Sequence, residues 1–283
     1  MKLLNISVKP SESSAASPAP LVTLAWVDLA RGALRWDLYG RLGWLEIKRR
    51  YRRTVIGPFW SALSLAIMVG ALGTVGVGLW NQSGADYVPF LAAGMVIWLM
   101  ISLIMTESCS LFIAGKSLFR QVRIDFSILA YALVWRNFLV FLHNLTVYAI
   151  VVVLLAPHLI SPTIILAVPG IALVLVNGIW IALLLGLFCL RFRDLQQLIN
   201  SIMQICMFIT PIFWPPESLS GVTYTIFVTY NPLYHLIDVV RAPLIDRIPS
   251  GETYLAVLIV TVLGWLATYG VFRQFRKRIA YWA

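Results

Sequence analysis

The chain has 283 residues, of which 60% are hydrophobic and only 12% charged, with a mean hydropathy of +0.85. A soluble domain carries about twice that share of charge, so the composition excludes an ordinary soluble enzyme and indicates a polytopic membrane protein. The net charge of +10 would suit nucleic acid in a soluble chain, but here the cations cluster beside apolar runs. That is where orientation signals and anionic-lipid contacts lie, so no nucleic-acid partner is expected. Cys109, Cys189 and Cys206 all fall in apolar runs without metal-ligand spacing and read as small apolar residues.

Residues 1–28 are expected to be a flexible tail. The first twenty hold Ser11, Ser13, Ser14 and Ser17 with Pro10, Pro18 and Pro20, and lack the apolar core of a cleavable signal peptide. Residues 29–56 are expected to form a cytoplasmic interface region. Leu34, Leu38, Leu42 and Leu45 recur at helical spacing, Arg31, Arg35 and Arg41 take other faces, and Trp36, Tyr39 and Trp44 are interfacial anchors. The pattern predicts an amphipathic helix on the cytoplasmic leaflet, the alternative being a soluble helix packed on a partner. Lys48, Arg49, Arg50, Arg52 and Arg53 follow, then a hinge at Gly57-Pro58.

Residues 57–283 are read as a six-span transmembrane domain. A span needs roughly 20 apolar residues to cross about 30 Å of hydrocarbon. The predicted spans are 59–80, 88–114, 127–155, 163–190, 195–214 and 254–272. Of the 22 Lys and Arg, only Arg241 and Arg247 fall on outside segments, and Arg136 is intramembrane. Cations held on one side require an even number of crossings with both termini inside. The fold class is therefore an all-α polytopic membrane protein, N-in and C-in, with short outer gate helices before the last span.

Glu107 and Arg136 are the charges deepest in the apolar runs, flanking one inner loop, and are expected to form an intramembrane ion pair. His143 lies inside the third span and is expected to bond a neighbouring helix. Ala114-Gly115-Lys116-Ser117 ends like a phosphate loop, but Ser110 stands where the first glycine is required and no strand precedes it. Nucleotide binding is thus assigned to a separate subunit. No metal site is expected.

The outer segment 215–252 is too long and patterned for a passive connector. Asn231-Pro232 is a helix start, and Asp238 and Arg241 can pair along the helix that follows. Two short helices dipping into the outer leaflet fit this segment, as do two helices flat on the surface. Aromatic residues make up 13% of the chain. Many fall at span ends as interfacial belts. Trp98, Tyr131, Trp135, Phe138, Phe141, Tyr148, Phe208, Phe213, Trp265 and Tyr269 lie deeper and suit either a glycan-lined channel or ordinary packing.

Two motifs carry a resemblance. Tyr51-Arg52-Arg53-Thr54-Val55-Ile56-Gly57-Pro58-Phe59-Trp60 resembles the start of the membrane subunit of polysaccharide ABC exporters. Asn231-Pro232-Leu233-Tyr234-His235, running on to Asp238, Arg241 and Leu244, resembles the block before that family's last span. The resemblance covers nearly the whole chain after the tail, with O-antigen exporters nearest and capsule and teichoic acid exporters next.

The resemblance implies a homodimeric permease in the bacterial inner membrane, paired with two ATP-binding cassette subunits that bind ATP and Mg. The permease itself is then no enzyme and holds no cofactor. It implies that residues 115–126, with Lys116, Phe119, Arg120, Arg123 and Asp125, couple to the ATPase. It implies a channel between protomers, with Phe59, Trp60, Phe208, Phe213 and Trp214 as wall candidates. It implies an exit gate, here given Tyr230, Tyr234, His235, Asp238 and Arg241. Arg35, Arg41 and the Lys48–Arg53 cations would then attract the diphosphate of an undecaprenyl-linked glycan. Two rivals stand beside this reading. One is an ABC permease for another lipid or a drug. The other is a membrane glycan or acyl transferase using Glu217, His235, Asp238 and Asp246, with His235 and Asp238 as a catalytic pair.

Overall fold

The computed structural model describes residues 21–121 and 124–282, with the side chains at 21–24, 117, 119, 120 and 280 excepted. Among these residues every regular element is helical. Helix α1 (Leu21–Leu34) and α2 (Trp36–Tyr51) precede α3 (Phe59–Trp80) and α4 (Gly84–Ser108). Two short helices, α5 (Leu111–Ala114) and α6 (Lys116–Gln121), lead to α7 (Ser127–Leu155). Then come α8 (Ala167–Arg191), α9 (Leu195–Ile209), α10 (Gly221–Tyr224), α11 (Pro232–Leu244), α12 (Gly251–Phe275) and α13 (Ile279–Trp282).

Helix starts follow local chemistry. The Ser83 hydroxyl accepts from Asp86 N at 3.1 Å and opens α4. The Ser250 hydroxyl accepts from Thr253 N at 3.2 Å and opens α12. Asn231 accepts from Leu233 N and Tyr234 N at 3.0 and 3.3 Å, with Pro232 at the first helical position. Each cap satisfies amides that have no partner within the helix.

Five segments are long and apolar enough to cross a membrane: Phe59–Trp80, Gly84–Ser108, Ser127–Leu155, Pro162–Arg191 and Gly251–Arg278. Helix α4 is the central pillar, packed against α3, α7, α8, α9 and α11. Its middle, from Tyr87 to Ile101, is apolar all round and almost wholly buried. By contrast α3, α9 and α12 turn wide apolar faces outward, including Ile67, Phe208 and Val262. Polar side chains link neighbouring helices. Asn177 donates to Thr261 at 2.8 Å, and Ser61 donates to Asn144 at 3.0 Å.

Three expectations need correction. The first helix begins at Leu21, inside the stretch assigned to the tail, and the amphipathic region is two helices broken at Arg35. The remaining tail, residues 1–20, lies outside the described residues. The fourth long segment starts with a 3-10 turn at Pro162–Leu166, and the second ends at Ser108, before the break at Cys109 and Ser110. Most consequential, α9 has 15 residues and stops at Ile209 instead of running to Trp214. At 1.5 Å per residue it spans about 22 Å, short of the hydrocarbon thickness. Thr210 is extended (φ −78°, ψ 137°) because Pro211 follows, disfavouring helix at the residue before it.

The unwound segment is held by side chains from other elements. Arg241 donates to Pro211 O at 2.6 Å, and Tyr87 donates to Phe213 O at 2.6 Å. Asn231 donates to the Thr210 hydroxyl at 3.1 Å. Helix α11 is not flat on a surface. It is buried among α4, α8 and α12. Gly170 makes this possible, since a Cβ there would stand 2.5 Å from Val239 O on α11.

Candidate functional site

The ends of α4 and α8, the start of α7 and the last turns of α12 gather at one end of the bundle. Lys48, Arg49, Arg191, Arg193 and Arg273 make this end basic. A cleft of about 960 Å3 opens here. One wall is the end of α2 and the turn after it, with Lys48, Arg49, Arg50 and Arg52, and the opposite wall holds Ser110, Leu118 and Gln121. Its floor is a charge network. Glu107 Oε1 accepts from Arg50 at 2.5 Å, and Oε2 accepts from Arg136 at 2.5 Å and from Asn137 at 2.9 Å. The second terminal nitrogen of Arg136 donates to Glu46 on α2.

The Glu107–Arg136 pair therefore forms, but as the centre of a four-charge group that includes two residues of the interface helix. Burial and shared partners set its energetics, since a charge taken out of water is costly unless compensated. Partial burial alone would lower the Arg50 guanidinium pKa. The charge and hydrogen bond of Glu107 outweigh it and hold Arg50 above its ordinary value.

The cations expected in one interface site are spread over four clefts, with Lys48, Arg49, Arg50 and Arg52 in the main one. Arg35 lies with Arg31, Asp125 and Arg276 in a cleft of about 500 Å3. Arg41 lies with Trp36, Trp44 and Trp135 in a groove of about 520 Å3. Arg53 borders a smaller hollow with Arg49, Arg50 and Arg52. Lys48 stands over the Trp44 ring at 5.9 Å, between the main cleft and the aromatic groove. Of the coupling candidates, Lys116 is exposed and Asp125 half-buried. Arg123 and the side chains of Phe119 and Arg120 lie outside the described residues.

The channel-wall candidates form two groups. Phe59 and Trp60 are half-exposed on α3, with Phe59 edge-on to His143 at 5.1 Å. Phe208 and Phe213 meet edge-on at 5.7 Å, and Trp214 donates to Phe208 O at 3.0 Å beyond the end of α9. His143 hydrogen-bonds Leu139 O of its own helix at 2.7 Å, and its contact with a neighbouring helix is the ring contact with Phe59 instead of the expected hydrogen bond.

At the opposite end, Tyr230 is exposed and Arg241 is fully buried. Arg241 pairs with Asp238 at 3.2 Å and stands over the Phe90 and Tyr234 rings at 4.4 and 5.7 Å. His235 bonds Thr229 O at 2.9 Å and the Thr253 hydroxyl at 3.2 Å. His235 and Asp238 are thus committed to different partners, and the catalytic pair does not form.

Sequence reasoning missed Asp28, Glu46, Asn137 and Arg276. Glu46 had a readable signal, an acid on the same helix as the cations. Asp28 had none, because its partners lie 98 and 248 residues away.

A helical bundle with five long apolar segments, a central buried pillar and a basic end is a multi-pass membrane protein. Residues 38–245 match the ABC-2 type transporter family, and the chain belongs to it. The family supplies the membrane subunit of transporters that work with an ATP-binding cassette subunit. The chain is also 22% identical over 239 residues to an O-antigen export system permease protein, RfbA, of Myxococcus xanthus, covering 83% of this chain and 91% of the relative.

Proposed function

We propose that this chain is the permease subunit of an ATP-driven exporter moving an undecaprenyl-diphosphate-linked polysaccharide such as O-antigen across the bacterial inner membrane. It acts as a homodimer with two ATPase subunits. One observation carries the reading: the α2 cations and the Glu107 network line the same cleft as Ser110, Leu111, Ala114, Gly115, Leu118 and Gln121, in the segment that joins α4 to α7. A lipid-borne anion and a force-bearing segment therefore share one site. The similarity to an O-antigen export permease supports the cargo.

In this reading the basic end faces the cytoplasm, where cations are retained. Exposed Lys48, Arg49 and Arg52 attract the diphosphate. The headgroup then competes with Glu107 for Arg50, loosening α2 from the bundle. The ATPase bears on Lys116 and its neighbours, and the protomers part along α3 and α9. Both helices expose aromatic side chains on faces that the described residues leave uncovered. A sugar ring slides on such flat apolar surfaces without fixed hydrogen bonds. Helix α9 and the unwound residues 210–216 together complete a sixth crossing, and α11 gates the exit.

The test is replacement of Lys48, Arg49 and Arg52 by Gln in cells that depend on this permease. Lipid-linked glycan is expected to accumulate inside, with permease abundance and orientation unchanged. Undiminished surface glycan would remove the headgroup role.

A further inference from the structure

Asp28 is 0% exposed and sits where three distant parts of the chain meet. Its Oδ1 accepts from Ser127 N at 3.0 Å, and its Oδ2 accepts from Phe126 N at 3.2 Å and from Arg276 Nε at 2.7 Å. Its backbone oxygen accepts from the Ser127 hydroxyl at 2.8 Å, and Tyr131 donates to Leu29 O at 3.1 Å. Helix α7 has no capping side chain of its own at Phe126. Asp28 supplies that cap from another element and places a negative charge at the helix N-terminus. Arg276, whose guanidinium also covers the Phe126 ring at 5.5 Å, neutralises it from beyond α12. Both Asp28 and Arg276 fall outside the stretch matched to the family, residues 38–245.

We propose that Asp28 is a positioning residue for energy coupling, clasping the exit of the 115–126 segment to the interface helices and to the C-terminal helix. The inference rests on the proposed ATPase docking at that segment. A push there displaces the start of α7. Separating α7 from α1 would strand a buried carboxylate, and separating either from Arg276 would remove its counter-charge. The three ends therefore move as one body, and α2, joined to α1 at Arg35, follows. Without the clasp the ATPase could cycle against a segment that yields locally.

The experiment uses the full permease–ATPase complex in proteoliposomes, comparing wild type with Asp28→Asn, Arg276→Gln and the double variant. ATP hydrolysis is expected to stay within about twofold of wild type, while glycan moved per ATP falls about tenfold. The double variant should be no worse than Asp28→Asn, because the charge pair that Arg276→Gln removes is already lost there. Wild-type glycan moved per ATP in both single variants would overturn the proposal, as would parallel losses of hydrolysis and transport. If Asp28→Asn fails to assemble, Arg276→Gln carries the test, since it leaves the α7 cap in place.

A wild-type complex that moves no glycan would refute the cargo reading instead. The clasp is then read from spin labels at Leu34→Cys and Gln121→Cys, both exposed positions. Their distance should be unchanged by ATP in wild type and should change or broaden in Arg276→Gln. Identical distributions in the two proteins would contradict it.

Discussion

Arg136 on α7 meets Glu107 on α4 at 2.5 Å, at the floor of the basic cleft. Both side chains are mostly buried, so each depends on the other for compensation. Glu107→Ala leaves Arg136 with Glu46 alone and should destabilise the protein by about 3 kcal/mol. Replacing both residues with apolar ones should recover part of that loss. Thermal unfolding in detergent measures it, and equal stability of the single variant and wild type would show that the pair contributes nothing.

The fit of α11 against α8 makes a second prediction. Gly170→Ala puts a Cβ 2.5 Å from Val239 O, which is backbone and cannot rotate away. The helices must separate, at a cost of about 1–3 kcal/mol. Gly78→Ala is the comparison, since nothing lies within 4 Å of its Cβ position. There alanine should be neutral or stabilising by up to about 1 kcal/mol, as its helix propensity is higher. Equal melting temperatures for the two variants would mean that the close approach is not maintained.

Asp125 gives a pH dependence. Burial, and then the nearby charge of Asp28, raise its carboxyl above the ordinary carboxylate value. A folded-state pKa above the unfolded one means that ionisation costs stability. That cost is full above the folded pKa and absent below the unfolded one, near about pH 4. Asp125→Asn should therefore melt higher than wild type at neutral pH, with the gap closing as pH falls through the carboxylate range. A gap independent of pH would contradict the assignment.

What the chain reveals in linear form depends on how far apart the interacting residues are. The long apolar runs, the Asn231-Pro232 helix start and the Asp238–Arg241 pair rest on composition or on spacing of three or four, and all were legible. Glu107–Arg136 was legible because both charges flank one loop. The length of α9 was obscured because Thr210–Trp214 is apolar enough to extend a span, while Pro211 and the side chains of Arg241 and Tyr87 hold it unwound. Asp28 reads as part of a tail because the Ser- and Pro-rich residues 10–20 precede it closely, and nothing local marks a residue whose amide partners, Phe126 and Ser127, lie at the start of α7.

The short α9 makes a prediction about orientation. Single cysteines at Thr54, Glu217 and Tyr281, all exposed, sample the basic end, the segment after α9 and the C-terminus. Thr54→Cys and Tyr281→Cys should react with a membrane-impermeant thiol reagent only from the cytoplasmic side, and Glu217→Cys only from outside. Reaction of Glu217→Cys from the cytoplasm would mean that α9 and residues 210–216 do not cross.

Transport itself is the most direct test. The purified permease, its ATPase and an undecaprenyl-diphosphate-linked glycan are placed in proteoliposomes, and glycan protected inside the vesicles is measured with and without ATP. The account predicts ATP-dependent accumulation of glycan in complexes whose ATPase sites face the bath, lost when Lys48, Arg49 and Arg52 are replaced by Gln. ATP hydrolysis by an assembled complex with no movement of glycan would contradict it.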